Sequence, residues 1–117
     1  MTYLKEWALA FALTQIIEVP IVVALTRAAE LPAWKRAATA FVATLATHPI
    51  VWFVVPELGL GESARVSASE GWAFGAECVI YRLFLAPLGW RASAAASALA
   101  NAASFGIGVL LFRLRGF

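Results

Sequence analysis

The chain has 117 residues, 62% of them hydrophobic and 14% charged, with a formal net charge of +2 and a mean hydropathy of +0.82. A water-soluble fold this small has too little interior to hide that much apolar surface, so the composition excludes an ordinary soluble domain. The few basic residues are spread over loops and termini without a cluster, which excludes a nucleic-acid partner.

Four apolar stretches follow one another, each close to the roughly 20 residues that a helix needs to cross about 30 Å of hydrocarbon. They run over residues 7–25, 37–55, 72–88 and 92–112 and predict an all-α integral membrane protein, a bundle of four transmembrane helices forming one domain over residues 1–117. Strands are a poor alternative, because the segments are rich in Ala and Leu and lack alternating polarity. The first stretch has a carboxylate, Glu18, at its centre, which a cleaved secretory signal lacks, so it reads as a retained helix. Cys78, the single cysteine, lies in apolar sequence and reads as a small hydrophobe.

The connections are short: Thr26–Arg36, Pro56–Gly71 and Gly89–Arg91. Pro32, Pro56 and Pro87 mark helix boundaries, and Trp7, Trp34, Trp72 and Trp90 fall near helix ends, where their rings favour the headgroup region. Ser67–Glu70, read as Ser-x-x-Glu, predicts the cap of the third helix. Gly71-x-x-x-Gly75 and Ser104-x-x-x-Gly108 predict faces of close helix packing. Lys5, Arg65, Arg113 and Arg115 lie on one side of the membrane and Arg27, Lys35, Arg36 and Arg91 on the other. That balance favours cytoplasmic termini only slightly and keeps dual insertion open. Pro32–Thr47 resembles Pro87–Asn101 with a one-residue gap, and each hairpin carries a Glu in its first helix. The pattern fits two copies of one helical hairpin related by an axis along the membrane normal.

The candidate chemistry lies at mid-depth. Glu18 is nine residues before Arg27 and Glu77 ten before Pro87, roughly 14 and 15 Å along a helix. On the returning helices His48 is twelve residues after Arg36 and Asn101 ten after Arg91, roughly 15–18 Å from the same interface. Each helix therefore places one strong polar group in a single layer. Ionisable groups at that depth cost about 2.5–3.5 kcal/mol each on insertion scales, so they are expected to face one another or a wet cavity. Gln15, Tyr81 and Trp52 lie three or four residues from members of this layer and join it as candidates, as do Ser97 and Ser104, which read first as interhelical glue. Arg82 either pairs with a carboxylate or snorkels towards Arg91. Pro20 and Pro49 each free a backbone carbonyl beside the layer.

These residues support three functions: proton- or ion-coupled transport, an intramembrane enzyme, or a small subunit of a larger membrane complex. In the first, Glu18 and Glu77 bind the proton or cation and His48 relays it; so short a chain then calls for a homodimer in the cell membrane, the inner membrane in a bacterium. In the second, a Glu activates water, or Glu18, His48 and Glu77 ligate a divalent metal with one position left open. The lone His with separated Glu residues matches no H-E-x-x-H motif, and G-x-S-x-G and phosphate-loop motifs are missing. By its size, its helix count and the segment Q-I-I-E-V at Gln15–Val19, the chain resembles the small multidrug resistance exporters. The likeness covers that stretch alone; His48-Pro49, Glu77 and Asn101 depart from the exporters' pattern. Intramembrane glutamate proteases also use Glu, His and Asn on different helices, but their paired-Glu signature is missing around Glu77.

Overall fold

A computed structural model describes residues 2–114, and side chains through Leu111. Arg115, counted above for orientation, lies outside the described residues, as does the side chain of Arg113. Among the described residues the chain is all helical, with four α-helices: α1 Tyr3–Leu25, α2 Ala33–Pro49, α3 Glu62–Phe84 and α4 Trp90–Leu114. Three helical stretches are long and apolar enough to cross a membrane: Tyr3–Leu25, Ala33–Leu58 and Trp90–Leu111. α3 has the length but carries Glu62, Arg65, Glu70, Glu77 and Arg82.

α1 starts at Thr2, whose hydroxyl accepts a hydrogen bond from the Lys5 backbone N–H (3.3 Å), with Glu6 in the first turn favouring the positive end of the helix dipole. It continues through Pro20 and stops at Thr26, which folds its hydroxyl back to the Val22 carbonyl (2.6 Å). A 3₁₀ turn, Arg27–Ala29, and the left-handed Glu30 (φ 56°) reverse the chain. Arg36, buried on α2, ties this turn down by donating from Nε to the Leu31 carbonyl (3.0 Å) and from a terminal nitrogen to the Val23 carbonyl. At Pro49 α2 loosens into a π-helical turn, Ile50–Val54, followed by a 3₁₀ turn, Val55–Leu58. Pro49 has no N–H to give the Leu45 carbonyl, which is where a wider turn is easiest to accommodate. Gly59, at φ 69°, supplies the left-handed residue that turns the chain into α3.

Several boundaries depart from the sequence expectation. α3 begins ten residues earlier than residue 72, so Ser67–Glu70 lies inside the helix and Gly61 occupies the capping position. Polarity marked where the apolar stretch begins, whereas the helix extends beyond it into polar residues. Gly71, Gly75 and Gly108 have no neighbouring heavy atom within 4 Å of where a Cβ would stand, so neither small-residue motif is a close-packing face within this chain.

Each helix packs on its neighbours in a ring, α1 on α2 and α4, and α3 on α2 and α4. The particle is 42 × 25 × 21 Å, its long axis close to the thickness of a bilayer with its headgroups. The polarity is inverted relative to a soluble bundle: Ile16 is 70% and Trp34 68% exposed, while Glu77 is 1% and Glu18 2% exposed. The interior divides in two. Towards the Arg27–Pro32 and Leu85–Gly89 turns, Val22, Ala40, Tyr81, Leu85, Leu88 and Ala96 form a closed apolar core. Towards the Gly59–Gly61 turn, the interior is polar and hollow.

Candidate functional site

The hollow half is built from one polar face of each helix. Glu18, from α1, is reached across the ring by α4: Ser104 Oγ donates to Glu18 Oε2 at 2.7 Å, while the buried Oε1 has no hydrogen-bond partner. Glu77, from α3, receives donors from both sides. Asn101 Nδ2 of α4 donates to Oε2 at 2.5 Å, and Thr44 and Thr47 of α2 donate to Oε1 at 3.4 and 3.3 Å. Asn101 is itself oriented by Ser97, through its carbonyl (2.8 Å) and hydroxyl (3.3 Å), and the Ser97 hydroxyl bonds to the Phe74 carbonyl (2.8 Å). The α3–α4 seam is thereby held by a chain of hydrogen bonds that ends on a carboxylate.

His48 sits on α2 just before the π turn. Its Nε2 lies 3.4 Å from Thr14 Oγ1 of α1, and its buried Nδ1 has no partner. Trp52, on the π turn, stacks over the imidazole at 6.1 Å between centroids, and Phe11 meets it edge-on at 5.6 Å. Aromatic rings thus pack against the histidine.

Glu18, His48, Glu77, Asn101 and Trp52 all line one cavity of about 150 Å³. That is room for on the order of five waters. Thr14, Thr44, Thr47, Ser104 and a third carboxylate, Glu70, complete its polar wall, and none of its lining residues is Lys or Arg. The layer expected from sequence is therefore gathered around one space, with Ser104 a direct partner of Glu18 rather than a packing residue alone.

Two candidates lie elsewhere. Gln15 is buried in the α1–α2 seam, where Nε2 donates to the Phe41 carbonyl (3.2 Å). Tyr81 is fully buried in the apolar core, and its hydroxyl has no hydrogen-bond partner. Arg82 turns away from the carboxylates and places its guanidinium 5.6 Å from the centre of the Trp90 ring, so it snorkels. Among the described residues no three His, Cys, Asp or Glu side chains form a group that could hold a metal ion. The expected ligand set Glu18, His48 and Glu77 is not assembled, because Glu77 is turned to Asn101 and the threonines while His48 Nε2 is turned to Thr14.

Thr14, Thr44 and Thr47 were not singled out by sequence reasoning, and Glu70 was read only as part of a helix cap. A signal existed for three of them: Thr14 is four residues before Glu18, Thr44 four before His48, and Glu70 seven before Glu77, all spacings that repeat on one helix face. Comparison with protein-family models, with curated proteins and with solved structures finds no match to this chain.

Proposed function

We propose that this protein crosses the cell membrane on all four helices, as two Glu-bearing hairpins, and binds a proton or a small monovalent cation between Glu18 and Glu77 as part of coupled transport. The observation that carries this reading is the pair of buried carboxylates on one cavity, with Glu18 Oε1 unpartnered and no Lys or Arg in the lining. Two bare negative charges in a low-dielectric space repel, and a proton or cation between them removes that repulsion. The threonine hydroxyls and the Asn101 amide offer neutral oxygens in place of part of a cation's hydration shell, while the Ser104 hydroxyl is committed to Glu18. His48, beside the Thr14 hydroxyl, is placed to pass a proton to or from the same space.

The apolar exterior supports the membrane placement, and α3, the most charged helix, turns Glu77 to the ring interior rather than to lipid. A second copy of the chain completes the pathway in this reading, since four helices with one apolar, closed half offer no continuous polar route.

The test is flux and binding in proteoliposomes of the purified protein, with Glu18→Gln, Glu77→Gln and His48→Ala beside wild type. Glutamine keeps the shape and a hydrogen-bond acceptor but removes the charge. Both Gln variants should insert and melt like wild type and lose proton or cation flux, while His48→Ala should slow proton flux in particular. Wild-type flux in all three variants ends the transport reading. Loss of thermal stability alone makes the polar layer interhelical glue and leaves the subunit role.

A further inference from the structure

A second cavity, of about 380 Å³, adjoins the first on the side of the Gly59–Gly61 turn. Tyr3, Pro56, Arg65 and Ser69 belong to it alone, whereas Val51, Trp52, Glu70 and Phe105 line both cavities. Glu70 is therefore in the partition. It stands seven residues before Glu77, two turns or roughly 10 Å nearer that end of the bundle. Ser69, Ala73 and Glu77 follow one another on the same buried face of α3, and Ala73, with no side chain beyond Cβ, leaves the space between the carboxylates open. Beyond Glu77 the same face continues into Tyr81 and Leu85, both fully buried in the apolar core.

We infer that Glu70 is a loading site for cations, reached from the Gly59–Gly61 end only, from which they pass beneath Trp52 to the Glu18–Glu77 cavity. This rests on the cation-binding reading of the inner cavity and adds the direction of access, the first binding group and the charge selection. Three features support it independently of one another. The order of charge along the path is one cation at the exposed rim, Arg65, then one carboxylate, then two. An oxygen of Glu18, a residue 98% buried, stands at the inner end without a partner. The partition is made by the π turn that follows Pro49, where the backbone departs from regular helix and Val51 and Trp52 face both spaces. A π turn inside a helix commonly marks a functional position. Arg65 at the rim lowers the attraction for cations there, so the selection falls to Glu70.

Substituted cysteines test access without relying on transport or on orientation in a membrane. In a Cys78→Ser background in detergent, Ser69→Cys reports the outer cavity, Ala73→Cys the inner one and Ala96→Cys the apolar core. Each is treated with an ammonium-bearing and a sulfonate-bearing thiosulfonate reagent of similar size. Expected are modification at 69 and 73, a preference of about tenfold for the ammonium reagent at 69, its collapse there with Glu70→Gln, and no modification at 96. The inference is overturned if the preference at 69 survives Glu70→Gln, if Ala73→Cys stays unreactive in a folded variant that reacts at 69, or if 96 reacts as fast as 73. Ser69→Cys is nearly isosteric and keeps the charge preference measurable if Ala73→Cys fails to fold. Retained flux in Glu18→Gln and Glu77→Gln would overturn the transport reading while leaving these labelling rates unchanged, so the two failures are distinguishable.

Discussion

The two halves of the bundle use the same four helices for opposite purposes. In the half near the Arg27–Pro32 and Leu85–Gly89 turns, the four helices and the turn after α3 contribute Val22, Ala40, Tyr81, Leu85 and Ala96, which pack as one apolar cluster. About one turn further along, the same helix faces contribute Glu18, Thr44, Glu77 and Asn101, and they stand apart around about 150 Å³ of space. Close packing is thereby concentrated where the ring is closed by small and aromatic side chains, and buried polar groups where it is open. A packed half that does not yield lets the other half hold like charges close together, because their repulsion has nothing soft to push against.

Tyr81→Ala breaks that division most severely. The ring is fully buried, and a cavity in its place costs about 2–4 kcal/mol through lost packing. Thermal unfolding in detergent should show it. Tyr81→Phe removes only a hydroxyl that has no partner and should leave stability within about 0.5 kcal/mol of wild type or improve it. If Tyr81→Phe instead abolished cation binding with the fold intact, the boundary between the halves would be drawn in the wrong place.

Pro49→Ala sharpens the comparison at a smaller scale. It restores a donor for the Leu45 carbonyl and removes the reason for the π turn, so the following residues should rotate by roughly 100°, one residue's share of a helical turn. Val51 and Trp52 would leave the partition between the cavities. Flux and cysteine modification at position 73 should fall severalfold while stability holds or rises by about 1 kcal/mol. Unchanged flux and labelling would make Pro49 a tolerated irregularity with no part in access.

Most of the helices were legible because long apolar stretches announce themselves, although three and not four of them are long and apolar enough to span a membrane, and the polar layer was legible because ionisable groups are costly on an apolar exterior. Glu18, His48, Glu77 and Asn101 were found by counting residues from the interface. What that counting lacks is the radial direction and the fine axial position. Tyr81 shares a face with Glu77 but lies one turn, roughly 6 Å, nearer the closed end, which takes it out of the cavity. Gln15 is a turn before Glu18 but points into the α1–α2 seam. Thr44 and Thr47 were passed over because threonine is common in membrane helices and only its neighbours distinguish a ligand from packing. The start of α3 was misplaced for a different reason: residues 62–70 are polar and were read as a loop, although nothing in Glu62–Ser69 breaks a helix.

Ser104→Ala gives the smallest effect and separates the halves most cleanly, by comparison with Ser93→Ala. Both serines lie on α4, eleven residues apart, and are small enough that alanine leaves almost no void. Ser104 donates to Glu18 Oε2, whereas the hydroxyl of the fully buried Ser93 has no partner. Losing the Ser104 bond should cost about 0.6 kcal/mol of stability, the average for a side-chain hydrogen bond between membrane helices. It should also leave Glu18 with both oxygens unpartnered, so the carboxylate holds a bound proton or cation more tightly. An equivalent free energy corresponds to about a threefold gain in apparent affinity. Ser93→Ala relieves an unsatisfied hydroxyl in the closed half, so stability should hold or rise while affinity stays the same. The measurement pairs thermal unfolding with cation titration by calorimetry for each variant. A shift in affinity with Ser93→Ala, or none with Ser104→Ala despite the loss of stability, would show that the two halves are not separable and that Glu18 is a packing group.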